Sequence, residues 1–150
     1  MNKPLILVVE DDAPIRNLIT TTLKTQDYKY IAAATASEAL QQATIHAPDV
    51  MLLDLGLPDL DGIEVIRRIR SWSAMPIIVI SARSEDSDKI EALDSGADDY
   101  LTKPFSVEEL LARLRVTFRR ILMLQNAAGS SVFTNGDLQI DFAAGCATLK

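Results

Sequence analysis

Residues 50–62 read Val50-Met51-Leu52-Leu53-Asp54-Leu55-Gly56-Leu57-Pro58-Asp59-Leu60-Asp61-Gly62. Four apolar residues follow one another without polar alternation, and a carboxylate closes the run. Such a run reads as a strand buried on both faces, which is the habit of parallel sheets. Asp54 is an acid in an apolar setting, costly there without a partner. The fold turns on whether similar runs recur.

They do. Leu5 to Val9, Tyr30 to Ala34 and Ile77 to Ile80 are short apolar runs, and Asp99 to Leu101 is a weaker one. Between them residues repeat at helical spacing: Ile15, Leu18, Ile19, Thr22 and Leu23; Ala39, Leu40, Ala43 and Ala47; Ile63, Ile66, Ile69 and Arg70; Ile90, Leu93 and Ala97; Leu110, Leu111, Leu114, Val116 and Phe118. Ser37 before Glu38 reads as a cap, and Ser106-Val107-Glu108-Glu109 as a capping box. Strand and helix alternating five times predict an α/β parallel sheet with helices on both faces. Ligands of such sheets bind at the carboxyl ends of the strands, where strand order reverses.

Composition agrees. The chain has 150 residues, 48% hydrophobic and 24% charged, close to the globular average and unlike disordered or collagenous chains. That length suits one domain of ordinary size. Cys146 is the single cysteine, so no intrachain disulfide forms, and with His46 alone there is no zinc set. His46 reads as a helix-end residue. A net charge of −6 argues against nucleic-acid binding by the bulk of the chain. No apolar run approaches the roughly 18 residues needed to span a membrane, and the N-terminus lacks a signal-peptide pattern. A cytoplasmic protein is expected.

The periodic pattern ends near Arg120. Residues 121–131 read as a helix fraying into a linker. Val132-Phe133, Leu138 to Phe142 and Cys146 to Leu149 then alternate like short strands, with turn signals at Asn135-Gly136 and Ala144-Gly145. The expected organisation is one domain over 1–121, a linker over 122–131, and the truncated start of a second domain over 132–150.

Acids gather at strand ends. Glu10-Asp11-Asp12 follows the first run and Asp54 ends the third. If those strands are neighbours, the carboxylates converge and repel one another. A hard divalent cation such as Mg²⁺ relieves that repulsion. A helix N-cap accounts equally well for Asp12, with Ala13-Pro14 opening the helix. Ser81 ends the fourth strand, where a turn hydroxyl would also serve. Lys103-Pro104 follows the fifth; its ammonium suits a salt bridge or a phosphoryl group, and the bond before Pro104 is a candidate for the cis form. Tyr100 precedes it as an amphipathic ring at the sheet edge.

Taken together, Val8-Val9-Glu10-Asp11-Asp12, Leu53 to Gly62, Ser81-Ala82-Arg83 and Gly96-Ala97-Asp98-Asp99-Tyr100-Leu101-Thr102-Lys103-Pro104-Phe105 resemble the receiver domain of bacterial two-component response regulators. The resemblance spans roughly residues 4–121. It implies a (βα)₅ flavodoxin-like fold with strand order 2-1-3-4-5. It implies that Asp54 accepts a phosphoryl group from a sensor histidine kinase, and that Glu10, Asp11, Asp54 and the Gly56 carbonyl hold Mg²⁺. Ser81 matches the switch hydroxyl, Tyr100 the switch aromatic and Lys103 the phosphoryl-pairing lysine. Gly-Ala-Asp-Asp-Tyr-Leu-Thr-Lys-Pro-Phe followed by Glu-Leu-Leu-Ala-Arg-Leu-Arg resembles the winged-helix (OmpR/PhoB-type) subfamily, and within it the regulators of potassium-transport operons. That likeness implies a homodimer through the fourth helix, fifth strand and fifth helix. Lys89 would face Glu109, Asp99 would face Arg113 and Asp94 would face Arg115 across the two-fold, around Ile90 and Leu93. Promoter DNA would be met only through the missing C-terminal domain.

Three other functions use a similar frame. A Mg²⁺-dependent aspartyl phosphohydrolase would want a second acid two residues beyond Asp54, where Gly56 stands. A flavin module would want a Ser/Thr/Gly-rich phosphate loop where Glu10-Asp11-Asp12 stands. A stand-alone receiver adaptor would lack the strands expected after Arg120.

Overall fold

The computed structural model describes residues 3–134, with side chains through residue 124. Five strands, β1 (Leu5–Val9), β2 (Lys29–Ala33), β3 (Val50–Leu53), β4 (Ile77–Ser81) and β5 (Asp99–Thr102), alternate with five helices. These are α1 (Ala13–Thr25), α2 (Ala36–His46), α3 (Gly62–Arg70), α4 (Asp86–Ser95) and α5 (Val107–Thr134). All strand pairs are parallel, in the order β2-β1-β3-β4-β5. The α/β fold and strand order are those expected. The chain divides at Leu110 into two compact units. The first holds the whole sheet and α1 to α4.

Within that unit the sheet is covered on both faces. Leu7, Val9, Met51, Leu53, Ile77 and Val79 face the apolar sides of α2, α3 and α4, contributed by Ala39, Ala43, Ile66, Ile69 and Ala92. The alternate residues Ile6, Val8, Leu52 and Ile78 point the other way and are equally buried, and Ile19 and Leu23 of α1 are buried too. Double-sided burial is why β1, β3 and β4 are continuous apolar runs. Register brings two acids to one place: Val9 lies beside Leu53, so the residues after each, Glu10 and Asp54, emerge together.

The helix caps require one correction. The α2 cap is Thr35, not Ser37: its hydroxyl accepts from Glu38 N at 3.1 Å, and Glu38 Oε1 accepts from Ala34 N at 2.9 Å. The N–H groups of Ala36 and Ser37 are taken by the Asp59 carboxylate, from the loop after β3, at 2.8 and 3.0 Å. With Ser37 N already satisfied, the chain enters the helix two residues early. Asp12 caps α1 through Ile15 N, with Pro14 in the first turn, and Ser106 accepts from Glu109 N at 3.0 Å.

The second correction concerns residues 121–134. The backbone stays helical to Thr134, through the segment expected to fray into a linker and through Val132-Phe133, expected as strand. Leu122, Met123, Leu124, Gln125, Ala127 and Ala128 are good helix formers, and their summed propensity outweighs one glycine, Gly129. The strands expected between Leu138 and Leu149 lie outside the described residues. No described helix is long and apolar enough to cross a membrane.

Candidate functional site

Strand order reverses at β1, which has β2 on one side and β3 on the other. A crevice therefore opens at the carboxyl ends of β1 and β3. Sheet hydrogen bonding runs one residue past each strand: Glu10 N donates to Ala33 O at 3.0 Å and Asp54 N to Val9 O at 2.9 Å. Both acids are thus fixed by the sheet rather than by a loop. Glu10 is 2% exposed and Asp54 6%, whereas Asp11 stands exposed. Oxygens of all three carboxylates lie within 4.8 Å of one another.

Lys103 arrives from the end of β5. Its N–H donates to Ser81 O at 2.8 Å, and the Lys103–Pro104 bond is cis. Its Nζ stands 2.8 Å from Glu10 Oε1 and 3.5 Å from Asp54 Oδ1. Burial alone would weaken the ammonium's hold on its proton. The hydrogen bond to Glu10 and the charges of Asp54 and Glu10 overcome that and raise its pKa. Glu10 is pushed up to about 7, chiefly by burial, with the Asp54 charge adding and the Lys103 hydrogen bond opposing.

One ammonium does not balance three carboxylates. The donor set is all hard oxygen, clustered and in charge excess, which fits a small divalent cation. Two neighbours steady the cluster. Arg16 Nη1 donates to Glu10 O at 2.8 Å and Asp11 O at 3.4 Å, holding the loop that carries Asp11. Gly56 N donates to Asp54 Oδ1 at 3.3 Å. Asp12 turns to its helix-capping bond instead.

Ser81 is buried at the end of β4, and its Oγ accepts from Arg83 N at 3.1 Å. Tyr100 lies half-buried on β5 against the core, its hydroxyl donating to Arg83 O at 2.6 Å. Burial raises its pKa, with the Asp88 and Asp54 charges adding to that and a Ser81 hydrogen bond and the Arg83 charge opposing. Both hydroxyls therefore meet the backbone of one residue. The Arg83 side chain reaches across to the loop after β3, donating to Asp61 Oδ2 at 3.2 Å, Asp61 Oδ1 at 3.4 Å and Leu55 O at 3.5 Å. Arg83 closes the Ser81-Ala82-Arg83 motif, but neither its contacts nor those of Arg16 are marked in the sequence, because only the fold creates them.

Gly62 is a further residue whose part only the fold reveals. A Cβ there would stand 2.6 Å from Leu55 Cα and 2.9 Å from Asp54 O. Helix α3 therefore begins against the strand end that presents Asp54, and only glycine fits.

The expected dimer-face residues lie at the surface. Lys89, Ile90, Leu93 and Asp94 are on α4, and Asp99 opens β5. Ile90 is 57% and Leu93 45% exposed. Glu109, Arg113 and Arg115 are exposed on α5.

Comparison with known proteins points one way. Residues 6–115 match the family described as the response regulator receiver domain. The chain is similar to the KDP operon transcriptional regulatory protein KdpE of Escherichia coli, 50% identical over 93% of this chain and 61% of that protein. It is similar to the transcriptional regulatory protein KdpE of Mycobacterium tuberculosis, 50% identical over 77% of this chain and 51% of that protein. The chain thus spans about half to three-fifths of the length of these relatives. Among solved structures, it resembles the Francisella response regulator 1452 receiver domain with a TM-score of 0.76 and 37% identity, covering 79% of this chain and 99% of that one.

Proposed function

Because the chain belongs to the response regulator receiver family, we propose that it is the phosphoacceptor module of a two-component transcriptional regulator. Asp54 takes a phosphoryl group from a sensor histidine kinase in a magnesium-dependent reaction, and phosphorylation promotes dimerisation. The observation that carries this reading is one buried carboxylate, Asp54, set beside two further acids and one lysine at the carboxyl edge of the sheet.

An Asp54 oxygen attacks phosphorus in line. The new O–P bond forms as the bond from phosphorus to the donor nitrogen breaks, and the donor imidazole keeps that electron pair. Glu10, Asp11, Asp54 and the Gly56 carbonyl would hold the magnesium ion. When bound, it neutralises the oxygens of the transferring group against the surrounding acids. Lys103, already 3.5 Å from Asp54 Oδ1, pairs with a phosphoryl oxygen. The Ser81 hydroxyl can turn its hydrogen to another while its oxygen still accepts from Arg83 N. That draws the loop in and vacates space into which Tyr100 follows, biasing two pre-existing states rather than forcing a change.

The biased surface is α4, β5 and α5. Lys89 with Glu109, Asp99 with Arg113, and Asp94 with Arg115 would each meet twice across a two-fold, around Ile90 and Leu93. Promoter DNA is contacted by a C-terminal domain, and the genes controlled serve potassium transport. The protein works in the cytoplasm.

Intact-mass spectrometry after incubation with Mg²⁺ and acetyl phosphate tests the chemistry. One phosphoryl adduct, lost in Asp54→Asn and in EDTA, is expected. An adduct that persists in Asp54→Asn would overturn it.

A further inference from the structure

The peptide of Arg83 is where both proposed switch residues end: its N–H donates to Ser81 Oγ at 3.1 Å and its carbonyl accepts from Tyr100 at 2.6 Å. Its guanidinium is clamped elsewhere, forked onto both oxygens of Asp61 and touching Leu55 O. Asp61 is itself tied down, since its Oδ1 accepts from Ile63 N at 2.9 Å and caps α3. The pair spans the loops after β3 and β4, the two that flank Asp54. Helix α4, which continues the second loop, has no side-chain bond at its N-cap, Glu85. Among the described residues the Arg83 fork is therefore the one side-chain ion pair anchoring that loop.

We infer that the Arg83–Asp61 ion pair is a positioning device that sets how far the loop after β4, and with it Tyr100, already occupies the inward arrangement before phosphorylation. Arg83 touches no reacting atom. It acts by fixing the peptide that Ser81 and Tyr100 share. A planar, bidentate guanidinium suits this task better than an ammonium. The pair is partly exposed, with side-chain exposures of 36% and 51%, so its influence is modest and yields to salt.

The inference rests on the reading of Ser81 and Tyr100 as the switch, and the test separates the two. The whole chain carries 3-fluorotyrosine at Tyr28, Tyr30 and Tyr100, and the Tyr100 ¹⁹F resonance is assigned by its loss in Tyr100→Phe. Asp61→Asn keeps an oxygen for the α3 cap and removes the charge. Arg83→Gln removes the other charge. Each is expected to shift the Tyr100 inward–outward ratio about two- to fivefold outward, the range an exposed ion pair supports. The double variant should move it no further than either single one. Raising NaCl should move the wild type the same way and leave the double variant still, and Arg83→Lys should fall between. An unmoved Tyr100 signal in both single variants, or effects that add, would overturn the inference. If Arg83→Gln does not fold, Asp61→Asn and its salt response decide. Acetyl phosphate with Mg²⁺ is the control: a wild-type Tyr100 signal that ignores phosphorylation sinks the switch reading itself, whereas one that responds while the variants do not sinks only the ion pair's role.

Discussion

At Glu10, burial and charge pull in opposite directions, and burial wins. Its folded pKa of about 7 lies above its ordinary 4.5. The folded state therefore keeps a proton that the unfolded chain releases. That favours folding most below pH 4.5, and the advantage is lost as pH rises through about 7. Without metal, Glu10→Gln should match the wild type in urea unfolding near pH ~4.5 and exceed it by about 1–3 kcal/mol near pH ~8. Adding Mg²⁺ near pH ~8 should stabilise the wild type and do much less for Glu10→Gln. Lys103 offers the converse case. Its ammonium is the cation that faces Asp54, so Lys103→Ala should slow acetyl phosphate labelling by on the order of tenfold or more. Asp54 and Lys103 are legible in the sequence, because an acid closing an apolar run and a lysine after a strand both demand partners. The Arg83 ion pair is not: its partner Asp61 is 22 residues away, and no local pattern marks such a pair.

Elements show the same divide. Strands β1, β3 and β4 are continuous apolar runs because both faces are covered, so their places can be read within a residue or so. Even the exposed edge strand β2 is visible, though its bounds shift by one residue. Helix starts are harder. Thr35 and Ser37 are both competent caps, and the choice is made by Asp59 reaching in from another loop. The end of α5 is misread from sequence because a single glycine and two serines look stronger than the run of helix formers before them. Helix α3 carries its own test. Gly62→Ala must push a methyl group into Leu55 Cα and the Asp54 carbonyl, backbone atoms that cannot step aside cheaply. It should cost about 1–3 kcal/mol in thermal or urea unfolding and slow phosphorylation as Asp54 is displaced. An equally stable, equally reactive Gly62→Ala protein would show that α3 does not set the position of the acid.

For the whole molecule, the sheet gathers Glu10, Asp11, Asp54 and Lys103 at one edge, and under the proposed reading α4 and β5 carry the phosphorylation signal to the surface. Ile90 and Leu93 stand exposed among charges on α4, an arrangement that suits a reversible contact between copies better than a permanent one. Sedimentation equilibrium should show phosphorylation tightening self-association, and Ile90→Asp should weaken the phosphorylated dimer by roughly tenfold or more while leaving labelling of Asp54 intact. Association unaffected by Ile90→Asp would place the dimer face elsewhere. Each of these expectations depends on one covalent event. Borohydride trapping after incubation with acetyl phosphate and Mg²⁺, followed by peptide sequencing in the mass spectrometer, examines it directly. Reduction of an aspartyl phosphate leaves homoserine. Homoserine at position 54, absent when EDTA is present, is the expected result; homoserine at another acid, or none from a folded protein that has gained the phosphoryl mass, would contradict the account.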